Sequence, residues 1–182
     1  EIDLKEKEAR LQQENIRLRA AIKERYRFGD IVGKSAAMQK VYELILRASA
    51  TDANVIIYGE SGTGKELVAR AIHDLSERGG RRFVPVNCGA IPPHLMESEF
   101  FGYKKGAFTG ADQTKPGLFD YAEDGTLFLD ELGEIKEEMQ VKLLRVLEGG
   151  GYTPIGGLET QKSRARIISA TNKGLVQLLE KG

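Results

Sequence analysis

The sequence predicts an α/β fold: a central parallel sheet covered by helices on both faces, in three layers. Three observations predict it. Short β-branched runs alternate with segments of helical periodicity. A glycine-rich loop stands between one such run and one such helix. A second apolar run closes on two adjacent carboxylates.

The first stretch reads as a linker helix over residues 1–27, ahead of a domain spanning 28–182. Leu4, Leu11 and Leu18 recur every seven residues, with Glu1, Glu8, Asn15 and Ile22 at the partner positions of the heptad. Leu in one seam position and a single Asn in the other favour a parallel two-stranded coiled coil. Two glutamates in the seam leave a solvated helix equally open. Phe28-Gly29-Asp30 ends this segment. Ser35 is placed to cap the next helix, whose apolar residues Met38, Val41, Tyr42, Ile45 and Leu46 follow helical spacing. The run 54–58 then reads as a buried parallel strand, followed by a helix over 65–75. Strands are expected at 83–86, 126–130 and 166–170. A helix is expected over 134–148, with Ile135, Met139, Leu143 and Leu147 on one face.

Gly59-Glu60-Ser61-Gly62-Thr63-Gly64-Lys65 fits the G-x-x-x-x-G-K phosphate loop, in the strand–loop–helix setting that such a loop requires. Glycines let successive N–H groups curl around phosphate oxygens without a side-chain clash. The helix N-terminus adds partial positive charge, and Lys65 adds a full one. Glu66 stands where the general motif has a Ser or Thr hydroxyl for Mg²⁺. In Leu127-Phe128-Leu129-Asp130-Glu131, Asp130 is placed to hold Mg²⁺, directly or through water. Glu131 is placed to take a proton from the attacking water. Alternation at the strand end is expected to turn the two side chains different ways. Asn172, after the strand at 166–170, reads either as a γ-phosphate sensor or as a cap for the segment 174–180.

Lys plus Arg and Asp plus Glu are equal at 27 each, which gives no general reason for a nucleic-acid or membrane surface. One cysteine rules out an intrachain disulfide and fits a reduced, cytoplasmic setting. No apolar run approaches the ~20 residues that cross a bilayer. Cys88 reads as core packing, and His73 and His94 lack metal-like partners.

The loop at 59–66, then Glu99-Phe100-Phe101-Gly102, then Gly106-Ala107-Phe108-Thr109-Gly110-Ala111 resemble the AAA+ central domain of sigma-54-dependent activators, the bacterial enhancer-binding proteins. The resemblance runs from about Ile31 to Gly182. Glu66 is the usual residue there, and the hexapeptide 106–111 is the family's hallmark. The resemblance implies a P-loop NTPase that hydrolyses ATP with Mg²⁺. It implies that Phe108 and Thr109 grip sigma-54 in the RNA polymerase holoenzyme, and that hydrolysis drives this loop against the closed promoter complex. Asn87 resembles the switch that relays nucleotide state to Glu131. Thr171 and Asn172 match the sensor I position, and Ile31-Val32-Gly33 resembles the segment that packs on adenine. A hexameric or heptameric ring is implied for the intact protein, with promoter DNA contacted by domains outside this chain. The start at Glu1 reads as a fragment's start. Arginine fingers, the sensor II arginine and a helical lid are expected beyond Gly182. Pro154 stands where relatives commonly carry a basic side chain. Two alternatives stay open: another AAA+ motor, helicase-loader or chelatase-like, and a non-hydrolysing, nucleotide-sensing dimer module.

Overall fold

The computed structural model describes residues 31, 33 and 35–172. The coiled-coil reading of 1–27, Val32 and the segment 174–180 lie outside the described residues.

Helix α1 (Ala36–Ser49) begins where the Ser35 hydroxyl accepts the Met38 N–H at 3.3 Å, a cap of the kind worth ~1 kcal/mol. Strand β1 (Val55–Tyr58) follows, then α2 (Lys65–Asp74), β2 (Phe83–Asn87), α3 (Met96–Phe101), α4 (Leu118–Ala122), β3 (Thr126–Asp130), α5 (Glu137–Leu147) and β4 (Arg166–Thr171). The four strands form one parallel sheet in the order β1-β4-β3-β2.

Period-two alternation divides the core. Leu127, Leu129 and Ile167 face α3, α4 and α5 together with Phe100, Phe101, Phe119, Met139 and Leu143. Phe128, Ile168 and Ala170 point the other way, onto Ile45 of α1 and Ala69 and Ile72 of α2. Both inner strands, β3 and β4, are therefore covered on both faces, as their unbroken apolar runs require. Pro85 lacks a ladder donor and lies in β2, an edge strand, where the loss is tolerated.

Two expectations are corrected. β1 is not buried. It is the other edge of the described sheet, and Ile56 and Tyr58 are 50% and 44% exposed because no described element covers them. The helix expected over 134–148 starts at Glu137, after a 3-10 turn at Leu132–Glu134. Ile135 lies ahead of the helix yet is buried, and Val146 rather than Leu147 completes the buried face after Met139 and Leu143. The 4-3 spacing of helical turns selects Val146 over Leu147.

At the amino edge of the sheet, Arg78 donates to both Asp52 oxygens (2.6 and 2.5 Å) and to the carbonyls of Asp124, Gly125 and Arg164. One planar guanidinium thus ties the segments that lead into β1, β3 and β4. The same ion pair holds the Asp52 carboxyl below the usual carboxylate range.

His73 is 2% exposed between α2 and β3. Its Nε2 lies 3.2 Å from the Arg81 carbonyl, which can only accept, so Nε2 carries the proton. Nδ1 then accepts the Thr126 hydroxyl at 2.8 Å. Burial, with Arg70 and Arg166 adding to it against Asp74 and the Arg81 carbonyl, pushes the imidazole below its ordinary pKa. Below about pH 6.5 the unfolded chain gains a proton that folded His73 refuses, so stability falls as pH drops from there to the depressed folded pKa. Urea midpoints across about pH 7.5 to 5.5 should show this, with a slope of at most ~1.4 kcal/mol per pH unit from this group. His73→Gln should remove that part of the slope; curves parallel to the unsubstituted protein's would rule His73 out as its source.

Candidate active site and partner loop

Parallel strands bring their carboxyl ends to one edge, the edge where open α/β sheets bind ligands. The sequence-singled residues arrive there in sheet order. β1 runs into the glycine loop, and the Gly59 N–H donates to the Thr171 carbonyl at 3.3 Å. β4 ends at Thr171 beside Tyr58, with exposed Asn172 next. β3 ends at Asp130, and Asn87 closes β2 directly opposite it in the register.

The loop has the geometry of a cradle. Gly62 and Gly64 have φ of +78° and +84°, conformations that side chains disfavour. A Cβ on Gly59 would stand 2.8 Å from the Thr63 hydroxyl, which instead donates to the Glu60 carbonyl at 2.8 Å. Glu60 and Ser61 are exposed on the loop's turn. Lys65 opens α2, and its ammonium donates to the Gly59 and Glu60 carbonyls at 3.0 and 2.8 Å. Glu66 is exposed and reaches along the helix to Arg70 at 3.8 Å. A cavity of about 820 Å³ adjoins the loop, lined by Gly59, Gly62, Gly64 and Lys65 on one side and by Ile31, Met38 and Val41 on another. That size is in the range of small-molecule sites. Gly33 lies beside it, held by the Tyr42 hydroxyl donating to its carbonyl at 3.1 Å.

At the acidic end, simple strand alternation does not set the two carboxylates apart, contrary to expectation. β3 stops at Asp130, and Glu131 takes a left-handed conformation, φ +54° and ψ +41°. Its N–H donates back to Asp130 Oδ1 at 2.9 Å. A non-glycine residue held there is strained, the kind of feature that collects at functional sites. This turn carries the Glu131 carboxylate over Gly89. A Cβ on Gly89 would lie 3.3 Å from Asn87 Oδ1 and closer still to Glu131 Oε2. The bare Gly89 is therefore what lets Asn87 and Glu131 converge. Sequence reading passed over it, although a glycine two residues past a strand-end polar residue was its visible signal. Asn87 Oδ1 also accepts the Ala90 N–H at 3.2 Å, which fixes the side chain. Burial, then the Asp130 and Glu131 charges, push the Cys88 thiol up to about 12, so it stays protonated core packing. Among the described residues no three His, Cys, Asp or Glu gather as a cation cage. Asp130 fits Mg²⁺ in its usual manner, with one or two carboxylates and the remaining ligands from water and substrate phosphates.

The hexapeptide 106–111 is not among the residues that line the cavity beside the glycine loop. Its stem is closed by paired bonds between Tyr103 and Lys115, both 2.9 Å, and its tip by Gly106 N–H to the Ala111 carbonyl at 2.8 Å. Phe108 is 46% exposed, Thr109 is exposed and Ala111 is buried. A second loop, 149–162, meets the stem: Lys104 and Ile155 bond across it, and Gly156 approaches Ala107 so closely that a Cβ there would sit 2.7 Å from the Ala107 Cβ. Pro154 of that loop is buried.

This arrangement matches known proteins. The family profile described as Sigma-54 interaction domain matches residues 31–182. The chain belongs to that family. The transcriptional regulator NtrC of Rhizobium meliloti is 53% identical over 152 residues, covering 84% of this chain and 31% of that protein. The structure of NtrX from Brucella abortus in complex with ATP superposes with a TM-score of 0.76 at 37% identity, over 96% of this chain and 39% of that one. The P-loop NTPase domain of a sigma-54 activator from E. coli shares the fold, with a TM-score of 0.51 at 19% identity over 78% of this chain and 91% of that one. The sigma-54 interaction domain chain spans about a third of the length of the curated relatives it matches. Among its described residues no helix is long and apolar enough to cross a membrane.

Proposed function

We propose that this chain is the ATP-hydrolysing core of a sigma-54-dependent transcription activator, its AAA+ domain running over 28–182 after a helical linker. The observation that carries the reading is the ordered convergence of the glycine cradle, Asn172, Asp130 and Asn87 across one sheet edge, with Glu131 bent back beside Asn87. The ATP complex of NtrX, at 37% identity, supports it.

ATP places its phosphates in the 59–65 cradle, with the base toward Ile31 and Gly33. Lys65 exchanges its two loop carbonyls for phosphate oxygens, a stronger, charge-assisted pairing. Asp130 holds Mg²⁺, which supplies charge neutralisation at the phosphates. Glu131 accepts the proton of the attacking water. Asn87 and Asn172 register the γ-phosphate, and Asn87 passes that state to Glu131. The full-length protein assembles as a ring, places nucleotide between neighbours and contacts promoter DNA through other domains. The 106–111 loop engages sigma-54 RNA polymerase.

Thr109→Ala in the full-length protein tests the loop assignment. Thr109 is exposed and is not among the residues that line the cavity beside the phosphate cradle, so ATP turnover should stay within about two-fold while open-complex formation is lost. Unaltered transcription from a sigma-54 promoter would refute the assignment.

A further inference from the structure

The stem and the tip of the hexapeptide loop differ in how closely they are packed. Tyr103 sits in an isolated bridge on each side: its own N–H and carbonyl pair antiparallel with Lys115, and its neighbours Gly102 and Lys104 pair in parallel with Ile155, so the stem backbone is held from both sides. Gly102, just before it, crosses the 115–117 backbone so closely that a Cβ would stand 2.7 Å from the Gly117 nitrogen. The tip keeps its own turn bonds, Gly106 N–H to the Ala111 carbonyl and Ala111 N–H to the Phe108 carbonyl, but its glycines stand in open space. Gly106 and Gly110 flank Phe108 with φ of +81° and +95°, and no atom lies within 4 Å of where their Cβ atoms would be. Between the bonded stem and the open tip there is one aromatic contact. The Phe108 ring meets the Tyr103 ring at 4.9 Å between centroids and 61° between planes, an edge-to-face pair. Phe108 remains 46% exposed, so this ring leaves about half of its surface for a partner.

We propose that Tyr103 is a positioning residue of the partner loop: its ring, fixed by the doubly paired stem, latches Phe108 back against the stem, and release of that latch presents the full Phe108 ring to the partner. This rests on the reading that the 106–111 loop engages sigma-54. The latch is an edge-to-face contact between the two rings. The Tyr103 hydroxyl takes no part in the geometry that holds Phe108, so the conservative Phe keeps the latch and a ringless residue abolishes it. A single edge-to-face pair biases the tip by roughly two- to ten-fold toward the folded-back position. That is enough to tune partner capture and weak enough for a nucleotide-driven shift of the stem to overcome.

The experiment places 4-fluorophenylalanine at position 108 of the full-length protein and records its fluorine resonance with Tyr103, Tyr103→Phe, Tyr103→Ala and Tyr103→Thr. The β-branched Thr preserves strand pairing should Ala loosen the stem. Ring-current displacement from the denatured position should persist with Tyr and Phe and vanish with Ala and Thr. Capture of purified sigma-54 without nucleotide should rise roughly two- to ten-fold in the two ringless variants and not in Tyr103→Phe, narrowing the gap to capture with an ATP transition-state analogue. A resonance indifferent to Tyr103 overturns the latch. A displaced resonance with unchanged capture, in a protein whose unsubstituted form binds sigma-54, overturns the shielding role. An unsubstituted protein that never captures sigma-54 sinks the partner reading instead, while the fluorine series still decides whether the two rings pack.

Discussion

Glu131→Gln is expected to cut ATP turnover by roughly 10²–10⁴-fold in the full-length protein while leaving ATP binding intact. The amide keeps the size of the carboxylate and its reach over Gly89 toward Asn87, but it cannot take a proton from water. Bound ATP should therefore accumulate unhydrolysed, visible as retained radiolabelled ATP with no phosphate release. Turnover near the unsubstituted rate would exclude Glu131 as the base. A companion variant separates chemistry from folding. Glu131 sits at φ +54°, a position that costs a side-chain-bearing residue roughly 1–2 kcal/mol. Glu131→Gly relieves that strain at the price of about 0.5–1 kcal/mol of backbone entropy. Its thermal midpoint should be equal to or above that of the unsubstituted protein even though hydrolysis is lost. Strain retained at a residue whose removal stabilises the fold is what a site selected for activity looks like.

Much of this candidate site's layout was legible in the sequence, because its motifs are written in local spacing. Lys65 stands at a fixed offset from Gly59 within one loop, and the apolar run 126–129 leads straight into Asp130; both follow from short-range pattern. Residues whose role depends on distant neighbours were not legible. The sequence could not say that Gly89 lies under the Glu131 carboxylate, since that follows from a left-handed turn at Glu131. Nor could it show that Tyr103 lies between Lys115 and Ile155, which are 12 and 52 residues further along. β1 misled for a related reason. Its β-branched run resembles an inner strand, but whether an edge strand is covered depends on which segments pack beside it. The reading of 106–111 as a partner loop came from family resemblance, not from pattern, because a glycine-rich hexapeptide has no periodicity to read.

The neck of that loop carries the second large expected effect. Gly102→Ala should destabilise the protein by about 3–5 kcal/mol, combining a strained backbone with a steric overlap. Gly102 has φ +70° and ψ −176°, a region open essentially to glycine alone. Its added methyl would also meet the Lys115 carbonyl, the Gly117 nitrogen and the Pro116 carbonyl carbon, all backbone atoms that cannot swing aside. Two neighbouring glycines resolve the two causes. Gly106 has φ +81° with open space around it, so Gly106→Ala carries the backbone penalty alone, about 1–2 kcal/mol. Gly117 has an ordinary φ of −89° but faces the Phe100 carbonyl and the Gly102 nitrogen, so Gly117→Ala carries the overlap alone, about 1–3 kcal/mol. Thermal midpoints of the three variants should therefore rank Gly102→Ala lowest, by roughly 6–20 °C below the unsubstituted protein at 2–4 °C per kcal/mol. A Gly102→Ala midpoint no lower than that of Gly106→Ala would mean that the crossing at 102 and 117 yields freely, and a neck that yields cannot hold the Tyr103 stem as a fixed base for the partner loop.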